Sequence, residues 1–361
     1  MHLLLDISAH GFGHLALVAP VINALNSRFR LCLTVRSALP KDRIAQRIVV
    51  PFRYLPAATD FGFVMQDANT VDVAASAQAY REFHQTWEAR VAAEIALFKA
   101  RKIDAVLTCV SYLPLAAADR LGLRCAALCC LNWADLFAHF FQEELQPQSW
   151  ATPIYHTMLT AYQAADWFLC PAPSMPMPQL GNVQEIGVIA TLGQAVPRQE
   201  LRQRLGLTTE DKLVLLGFGG IGLELQTSDW QQIEHTYYIT PETWSINLPF
   251  AFNLAELGLS FTDALASVDA VVTKPGYGTF TEAACHGTPV VYVRRVDWPE
   301  QDDLIAWLHT HGRCVEIAGQ ELAVGNLAAS LAQVWSLPAP PPPAAAGIAM
   351  AVDTLTYDWL D

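Results

Sequence analysis

The amino-acid sequence predicts an α/β protein of two domains, each a parallel sheet with helices on both faces. Short apolar runs alternate with longer amphipathic stretches, and this alternation is typical of βαβ units. It begins with a predicted strand at residues 3–7 and a predicted helix at residues 15–25. The 361 residues exceed the usual reach of a single hydrophobic core. We therefore expect two Rossmann-like domains that face each other across a cleft.

Proline-rich segments mark the predicted domain boundaries. Four prolines fall between residues 171 and 178, where they can continue neither a helix nor a central strand. The strand and helix alternation then starts again near residue 198, and a second proline run follows it at residues 338–343. The predicted organisation is a first domain at 1–172, a linker at 173–197, a second domain at 198–336, and a connector with a C-terminal helix at 337–361.

Composition and charge narrow the classes of function. Hydrophobic residues make up 52% of the chain and charged residues 16%, which predicts a folded protein with sizeable cores. The formal net charge of −13 and the lack of a dense Lys/Arg run disfavour nucleic acid as a partner. No signal peptide or membrane-spanning run is recognisable, and the eight cysteines lack paired CxxC spacing. We expect a cytoplasmic protein with reduced thiols; peripheral membrane contact and the oligomeric state stay open.

A first glycine-rich loop follows the first predicted strand. Gly11 and Gly13 stand between two histidines, His10 and His14, just before the predicted helix. An imidazole at a strand-to-helix turn is well placed to deprotonate a hydroxyl group. We predict His14 as a general base, with helix capping or a polar pocket as the structural alternative.

The same loop formally fits a dinucleotide-binding fingerprint. Gly11, Gly13 and Ala16 have the G-x-G-x-x-A spacing. A site for NAD requires an acidic side chain after the second strand, whereas Arg36 stands there. Only an NADP-dependent oxidoreductase is therefore compatible with this interpretation.

A second glycine-rich loop, within residues 266–289, carries the most informative pattern of strand, turn, helix and strand. Gly276 and Gly278 allow a ligand to approach the backbone, and the amides that open the next helix favour a diphosphate. Thr279 adds a hydroxyl donor, and Glu282 can accept hydrogen bonds from ribose hydroxyls. This combination predicts a nucleotide site.

An ordinary capped helix is the alternative for this second loop. Thr279 as the N-cap and Glu282 three residues later have the spacing of a capping box. That interpretation leaves the approach from Lys274 to Tyr277 unexplained, and we therefore include both residues among the candidate ligand contacts.

Two more loops follow predicted strands of the second half. Glu300 and Gln301, preceded by Arg294, can contact sugar hydroxyls, although acidic residues are also favoured at any helix N-terminus. Gly219 and Gly220 form an amide-rich loop that can face the same phosphates.

Six segments, in chain order and over nearly the whole chain, are shared with one enzyme family: 10–14, 132–133, 173–178, 217–220, 274–279 with Glu282, and 293–295 with Glu300. In these segments the chain resembles the GT-B glycosyltransferases. It is most similar to the glycosyltransferase-like domain at the N-terminus of plant L-arabinokinases and to bacterial stand-alone relatives. A more distant resemblance is to the peptidoglycan N-acetylglucosaminyltransferase and the UDP-glycosyltransferases.

The resemblance implies a role for each matching position. His14 takes the position of the base, and Asn132 with Trp133 lies on the acceptor side. The donor contacts implied are the diphosphate loop Gly276 to Thr279, the ribose carboxylate Glu282, the hexose contacts Glu300 and Gln301, and the nucleobase contact through the main chain of Phe261.

One position departs from the family pattern. The arabinokinase-like sequences carry Asp where this chain has Cys109, and a thiol does not orient an imidazolium as a carboxylate does. Asp135 and Asp6 are the candidate replacements.

The sequence thus predicts a glycosyltransferase that moves a sugar from a nucleoside-diphosphate sugar, UDP-linked, to an acceptor hydroxyl or amine. We expect inversion at the anomeric carbon and neither a metal nor another cofactor, because main-chain amides would stabilise the leaving diphosphate. Two alternatives stay open: a nucleotide-sugar-binding module without catalysis and a UDP-sugar 2-epimerase. The sugar, the nucleobase and the acceptor are not determined.

Overall fold

The computed structural model describes residues 1–66, 70–218, 227, 230–241, 244 and 248–360. The chain divides into two compact units, one of Met1–Ile189 together with Ala346–Asp361 and the other of Ala190–Ala345. None of the described helices is both long enough and apolar enough to cross a membrane.

The first unit is built on a parallel sheet with the strand order β3-β2-β1-β4-β5-β6-β7. Three successive leucines of its central strand β1, at positions 3 to 5, are fully buried, as expected for a strand covered on both faces. The strands are β1 (His2–Ile7), β2 (Cys32–Arg36), β3 (Phe52–Leu55), β4 (Ala105–Cys109), β5 (Arg124–Leu128), β6 (Trp167–Pro171) and β7 (Val183–Ile186). The connecting helices are α1 (Gly13–Arg28), α2 (Lys41–Arg47), α3 (Val73–Gln85), α4 (Trp87–Arg101), α5 (Leu113–Leu121), α6 (Trp133–Phe140) and α7 (Ala151–Gln163).

The second unit repeats the same kind of architecture, with the strand order β10-β9-β8-β11-β12-β13. Its core joins apolar side chains of the strands, such as Val214 and Val272, to Leu331 of a C-terminal helix. The strands are β8 (Lys212–Gly217), β9 (Thr236–Thr240), β10 (Ala251–Asn253), β11 (Ala270–Thr273), β12 (Val290–Tyr292) and β13 (Cys314–Glu316). The helices are α8 (Arg198–Arg204), α9 (Leu254–Leu257), α10 (Phe261–Ser267), α11 (Tyr277–His286), α12 (Glu300–His311), α13 (Gly319–Ala323) and α14 (Ala328–Ser336).

Both sheets reverse their strand order once, and the two reversals position the candidate sites. The reversal lies between β1 and β4 in the first sheet and between β8 and β11 in the second. Open α/β sheets bind ligands at the carboxyl ends of the strands beside such a switch point. The two parallel sheets confirm the predicted α/β class. The glycine-rich loops that follow β1, β8 and β11 each begin beside the switch point of their own sheet.

The last helix, α15 (Gly347–Leu360), belongs to the first unit rather than to the second. The Gly347 amide donates to the Val188 carbonyl over 2.9 Å, and Asp353 forms an ion pair with Arg28 of α1 at 2.6 Å. A β-carbon at Gly347 would lie 2.0 Å from the Gly187 carbonyl oxygen, so the approach requires glycine. The C-terminal segment therefore packs back onto the N-terminal sheet.

The division between the units comes later in the chain than the proline-rich segment. The predicted linker 173–197 contains β7, which pairs with β6 and extends the first sheet. The prolines end β6 and turn the chain, and the chain then returns to the same sheet before it leaves the first unit after Ile189.

Candidate functional site

The turn between β1 and α1 lies at the switch point of the first sheet. The Ser8 amide donates to the Cys109 carbonyl over 2.7 Å, which ties the turn to the end of β4. Gly11 has a φ of +92°, a backbone conformation that favours glycine. A β-carbon at Gly11 or Gly13 would meet no described atom within 4 Å. The two glycines therefore leave open space beside the main chain.

His14 is the second residue of α1, and its side chain faces two sulfur atoms. Nδ1 lies 3.7 Å from Sγ of Cys109 and 3.6 Å from Sγ of Cys129. The Cys109 thiol also contacts the His14 carbonyl at 3.5 Å, and the Trp133 ring meets the imidazole edge-on at 5.8 Å. His14 is 8% exposed and both cysteines are fully buried. The imidazole is thus fixed from its Nδ1 side.

The two thiols at His14 differ in their affinity for a proton. Burial raises the pKa of Cys109, and the neighbouring Cys129 raises it further. Burial opposes ionisation of Cys129 as well, but hydrogen bonds from Cys109, Cys130 and His14 outweigh it and hold the pKa of Cys129 well below its ordinary range. Cys129 is therefore the thiol of the pair that ionises more readily.

The two carboxylates expected to replace the missing family acid are engaged elsewhere. Oδ2 of Asp6 pairs with the Arg36 guanidinium at 2.5 Å, and its Oδ1 accepts from the Thr59 hydroxyl at 2.6 Å. The Asp135 carboxylate accepts from the Asn132 amide at 2.6 Å. Sulfur, rather than either of these acids, stands at the Nδ1 side of His14.

Asp60 is a buried carboxyl group of this region that the sequence analysis missed. Its Oδ2 accepts from the indole Nε1 of Trp133 at 2.7 Å, whereas its Oδ1 is buried without a described hydrogen-bond partner. Burial, with repulsion from Asp6, raises the pKa of Asp60 to about 6, although hydrogen bonds with Trp133 and Ser8 oppose this shift. Asp60 thus links the turn electrostatically to the indole ring beside it.

The segment that carries Asp60 also approaches the first glycine turn closely. Gly62 has a φ of +59°, and a β-carbon there would lie 2.9 Å from Trp133 and 3.0 Å from His10. The sequence feature that could have pointed to Asp60 is an acidic residue two positions before a glycine, in the loop after β3. That pattern is common in surface turns, and it does not identify a partner in space.

Asn132, a predicted acceptor contact, has a capping role in the structure. It is fully buried, its Oδ1 accepts from the Asp135 amide at 2.8 Å, and its Nδ2 donates back to the Asp135 carboxylate. Both ends of the side chain stabilise the start of α6, so the geometry does not favour a substrate contact at this position.

The turn between β11 and α11 lies at the switch point of the second sheet. Gly276 is the N-cap, and the helix begins at Tyr277, whereas an N-cap at Thr279 would have started it at Phe280. Thr279 therefore lies inside the first turn, and the capping-box interpretation is wrong. The first helical hydrogen bond runs from the Phe280 amide to the Gly276 carbonyl at 3.1 Å, so the three amides before it point out of the helix end.

Five of the predicted donor contacts lie on this one helix end. Glu282 stands in the second turn and is 2% exposed, and Tyr277 is 4% exposed. Among the described residues, a β-carbon at Gly276 would have only the Lys274 carbonyl oxygen within 4 Å, at 3.9 Å. Gly278 and Thr279 complete the first turn, and Lys274 precedes it. As far as the described residues show, the helix start therefore leaves space for a ligand beside Gly276.

The end of β8 lies next to this turn in the second sheet. A β-carbon at Gly217 would come within 3.0 Å of the Phe261 ring, so the strand end and the first residue of α10 pack closely. The Thr273 hydroxyl of β11 donates to the Gly217 carbonyl at 2.5 Å. The predicted phosphate contacts Gly219 and Gly220 lie outside the described residues.

The predicted hexose contacts after β12 have partners within the protein. Both ends of the Gln301 side-chain amide bond the main chain of Arg295, and Glu300 accepts from the Trp298 indole at 2.9 Å. Arg294 pairs with Asp302 and Glu316. These bonds stabilise the turn that leads into α12. A sugar hydroxyl that binds Glu300 or Gln301 would have to replace the hydrogen bonds that these side chains make within the protein.

The guanidinium of Arg295 was not predicted as a contact. It stacks on the Trp298 ring at 3.9 Å, and burial lowers its pKa to about 10. Its Nε is buried without a described hydrogen-bond partner.

None of the protein-family profiles compared with the chain matches it. One curated protein, the L-arabinokinase of Arabidopsis thaliana, is 27% identical over 348 residues, which cover 92% of this chain. The same alignment covers 32% of the kinase, so the chain spans about a third of that relative's length.

Solved glycosyltransferase structures match along nearly the whole chain. VinC, a glycosyltransferase crystallised with dTDP, has a TM-score of 0.58 at 15% identity and covers 99% of this chain and 95% of its own. A putative UDP-N-acetylglucosamine 2-epimerase from Listeria monocytogenes has a TM-score of 0.53 at 12% identity, with coverages of 100% and 97%. Together with the two switch points, these likenesses confirm the predicted architecture: the chain has the fold of the GT-B glycosyltransferases.

Proposed function

We propose that this chain is a glycosyltransferase that moves a sugar from a UDP-linked donor to the hydroxyl or amine of an acceptor. The reaction inverts the anomeric carbon and needs no metal ion. The observation that carries the proposal is the start of α11, where a glycine N-cap, free space beside it and a buried glutamate combine at a sheet switch point.

The second unit binds the donor in this proposal. The first amides of α11 point out of the helix and carry the positive end of its dipole, which favours a diphosphate. Gly276 lets the phosphates approach the main chain, and Glu282 accepts hydrogen bonds from the ribose hydroxyls. The dTDP bound to the similar VinC supports a nucleoside diphosphate as the ligand class.

The first unit supplies the base. An imidazole whose Nδ1 donates to sulfur presents Nε2 as the acceptor atom, and Nε2 of His14 takes the proton from the acceptor nucleophile. The nucleophile attacks the anomeric carbon as the bond to the diphosphate oxygen breaks. The charge that develops on the diphosphate is stabilised by the α11 amides, as in an oxyanion hole.

Calorimetric titration with UDP and with UDP-sugars, followed by an assay for UDP release, tests the proposal. We expect UDP to bind the wild-type protein and UDP release to depend on an acceptor. A protein that binds none of UDP, TDP or GDP and their sugars would overturn the donor assignment. Conversion of UDP-N-acetylglucosamine to its 2-epimer without an acceptor would replace the transferase by an epimerase.

A nucleotide-sugar-binding module without catalysis is the second candidate. The observation that favours it is that two sulfur atoms, rather than a carboxylate, face Nδ1 of His14. The decisive measurement is turnover in the wild-type protein with a panel of acceptors. Tight binding of the donor with the same background hydrolysis in the wild type and in His14→Ala would support the module.

A further inference from the structure

The sulfur and nitrogen atoms around His14 form the arrangement of a metal site. Nδ1 of His14 and the Sγ atoms of Cys109 and Cys129 all lie within 4.8 Å of one another, and all three residues are buried. One imidazole and two thiols are ligand types typical of zinc. The search for paired CxxC spacing misses this group because each ligand comes from a different part of the chain.

The separations match the edges of a zinc tetrahedron. Zinc bonds of about 2.3 Å to sulfur and about 2.0 Å to nitrogen give tetrahedral S···N edges of about 3.5 Å. The two S···N distances here are 3.6 Å and 3.7 Å. Two of the three edges between the ligand atoms are therefore already close to the length that a zinc ion requires.

Two of the three ligands lie in regular elements, and a main-chain hydrogen bond holds the third at the end of a strand. Cys109 ends β4, and its carbonyl accepts from the Ser8 amide. Cys129 follows β5, and its amide donates to the Leu169 carbonyl of β6 at 3.1 Å. His14 is in the first turn of α1. Ligands on strands and a helix keep their geometry better than ligands on loops.

We propose that His14, Cys109 and Cys129 form a binding site for a zinc ion. Nδ1 of His14 and the two thiolates provide three ligands, and the fourth position is open to water, as in many zinc sites with three protein ligands. The two thiols release their protons to solvent when the ion binds. Two thiolates neutralise the charge of Zn²⁺, which suits a buried site.

Zinc binding and the proposed base function exclude each other. Once the Nδ1 lone pair binds zinc, the neutral imidazole carries its proton on Nε2, and Nε2 can no longer accept a proton from a nucleophile. Zinc therefore switches off transfer. This consequence rests on the proposed function, whereas the binding site does not.

Titration of the reduced, metal-free protein with Zn²⁺ and Co²⁺ tests the site. We expect one equivalent to bind, with thiolate-to-cobalt charge-transfer absorption for Co²⁺. Cys109→Ser and Cys129→Ser should each weaken the affinity at least about 100-fold, because each removes one of only three protein ligands. The exposed Cys32 provides the matched control, and Cys32→Ser should bind as the wild type does.

X-ray absorption of the zinc-loaded wild-type protein tests the same site without any substitution. The expected shell has two sulfur atoms, one imidazole nitrogen and one further light atom. Absence of stoichiometric binding, a shell without two sulfurs, or an unchanged affinity for Zn²⁺ and Co²⁺ in Cys129→Ser would overturn the site.

An assay for UDP release, run with and without one equivalent of zinc, separates the two proposals. Transfer by the metal-free protein that zinc abolishes supports both. Zinc binding without transfer under any condition retains the site and overturns the transferase. Full transfer by the zinc-loaded protein overturns the switch.

Discussion

The turn after β1 and the turn after β11 have the same place in their sheets but present different groups. Each follows a strand at a switch point, contains glycine and opens a helix without a side-chain cap. The first turn buries an imidazole against two sulfurs, whereas the second leaves free space beside Gly276 and places a carboxylate one turn into the helix. The same place in the fold thus presents a titratable side chain in one unit and main-chain amides in the other.

The largest expected effect separates the base from the donor site. His14→Ala should lower kcat about 1,000-fold, since it removes general base catalysis, and should leave the affinity for UDP unchanged. Steady-state kinetics with calorimetry measures both quantities. The exposed His156 gives the control His156→Ala, and an equal loss of kcat and UDP affinity in His14→Ala would contradict the division of roles.

The second effect concerns the buried carboxyl group near the first turn. Asp60 titrates near pH 6 in the folded protein against an ordinary pKa of 3.8. Its contribution to stability is complete below pH 3.8 and is lost as the pH rises through 6, a change of up to about 3 kcal/mol.

Urea unfolding of the wild type and of Asp60→Asn at pH 4, 5, 6 and 7 measures this contribution. The variant retains an oxygen acceptor for the Trp133 indole. The stability difference should shift in favour of the variant as the pH rises. A difference that is the same at every pH would show that Asp60 does not titrate in this range. Other groups also titrate in this range, such as His84, whose pKa burial lowers to about 4. Their contribution is common to both proteins and cancels in the stability difference between the wild type and the variant.

A third effect is confined to the donor turn. Glu282→Gln should weaken UDP binding about 10- to 100-fold, because hydrogen bonds to a charged group are worth about 1.5–3 kcal/mol. The weaker binding should raise the KM for the donor and leave kcat little changed. Glu256, an exposed acid of α9, gives the control Glu256→Gln. Unchanged UDP affinity in Glu282→Gln would remove the ribose contact.

The smallest effect compares the two glycine turns directly. Gly11→Ala should cost about 1 kcal/mol of stability, because its positive φ disfavours a side chain. Gly276 has an extended backbone with a φ of −165°, so Gly276→Ala should have the stability of the wild type. Its affinity for UDP should fall, because the added methyl group occupies the space proposed for the diphosphate. Thermal unfolding and UDP titration of both variants measure this contrast. Equal destabilisation of the two would contradict it.

Sequence patterns predicted the parts of the site that are local in the chain. Gly276, Gly278, Thr279 and Glu282 lie on one turn and helix, so their spacing fixes their relative position. The pattern was less reliable for the helix start: the Thr279 and Glu282 spacing fits a capping box, but Gly276 already caps the helix. Side chains of an S/T-x-x-E pattern cap only when the chain is not yet helical before them.

The sequence by itself determined the fold class, the two glycine turns and the choice of His14 as the candidate base. All of these depend on periodicity or on neighbours in the chain. Only the tertiary structure placed Cys109 and Cys129 at His14, across 95 and 115 residues, and Asp60 at Trp133, across 73. Strands that are neighbours in a parallel sheet are distant in sequence, so the identity of the group that faces the imidazole was decided by the order of the strands.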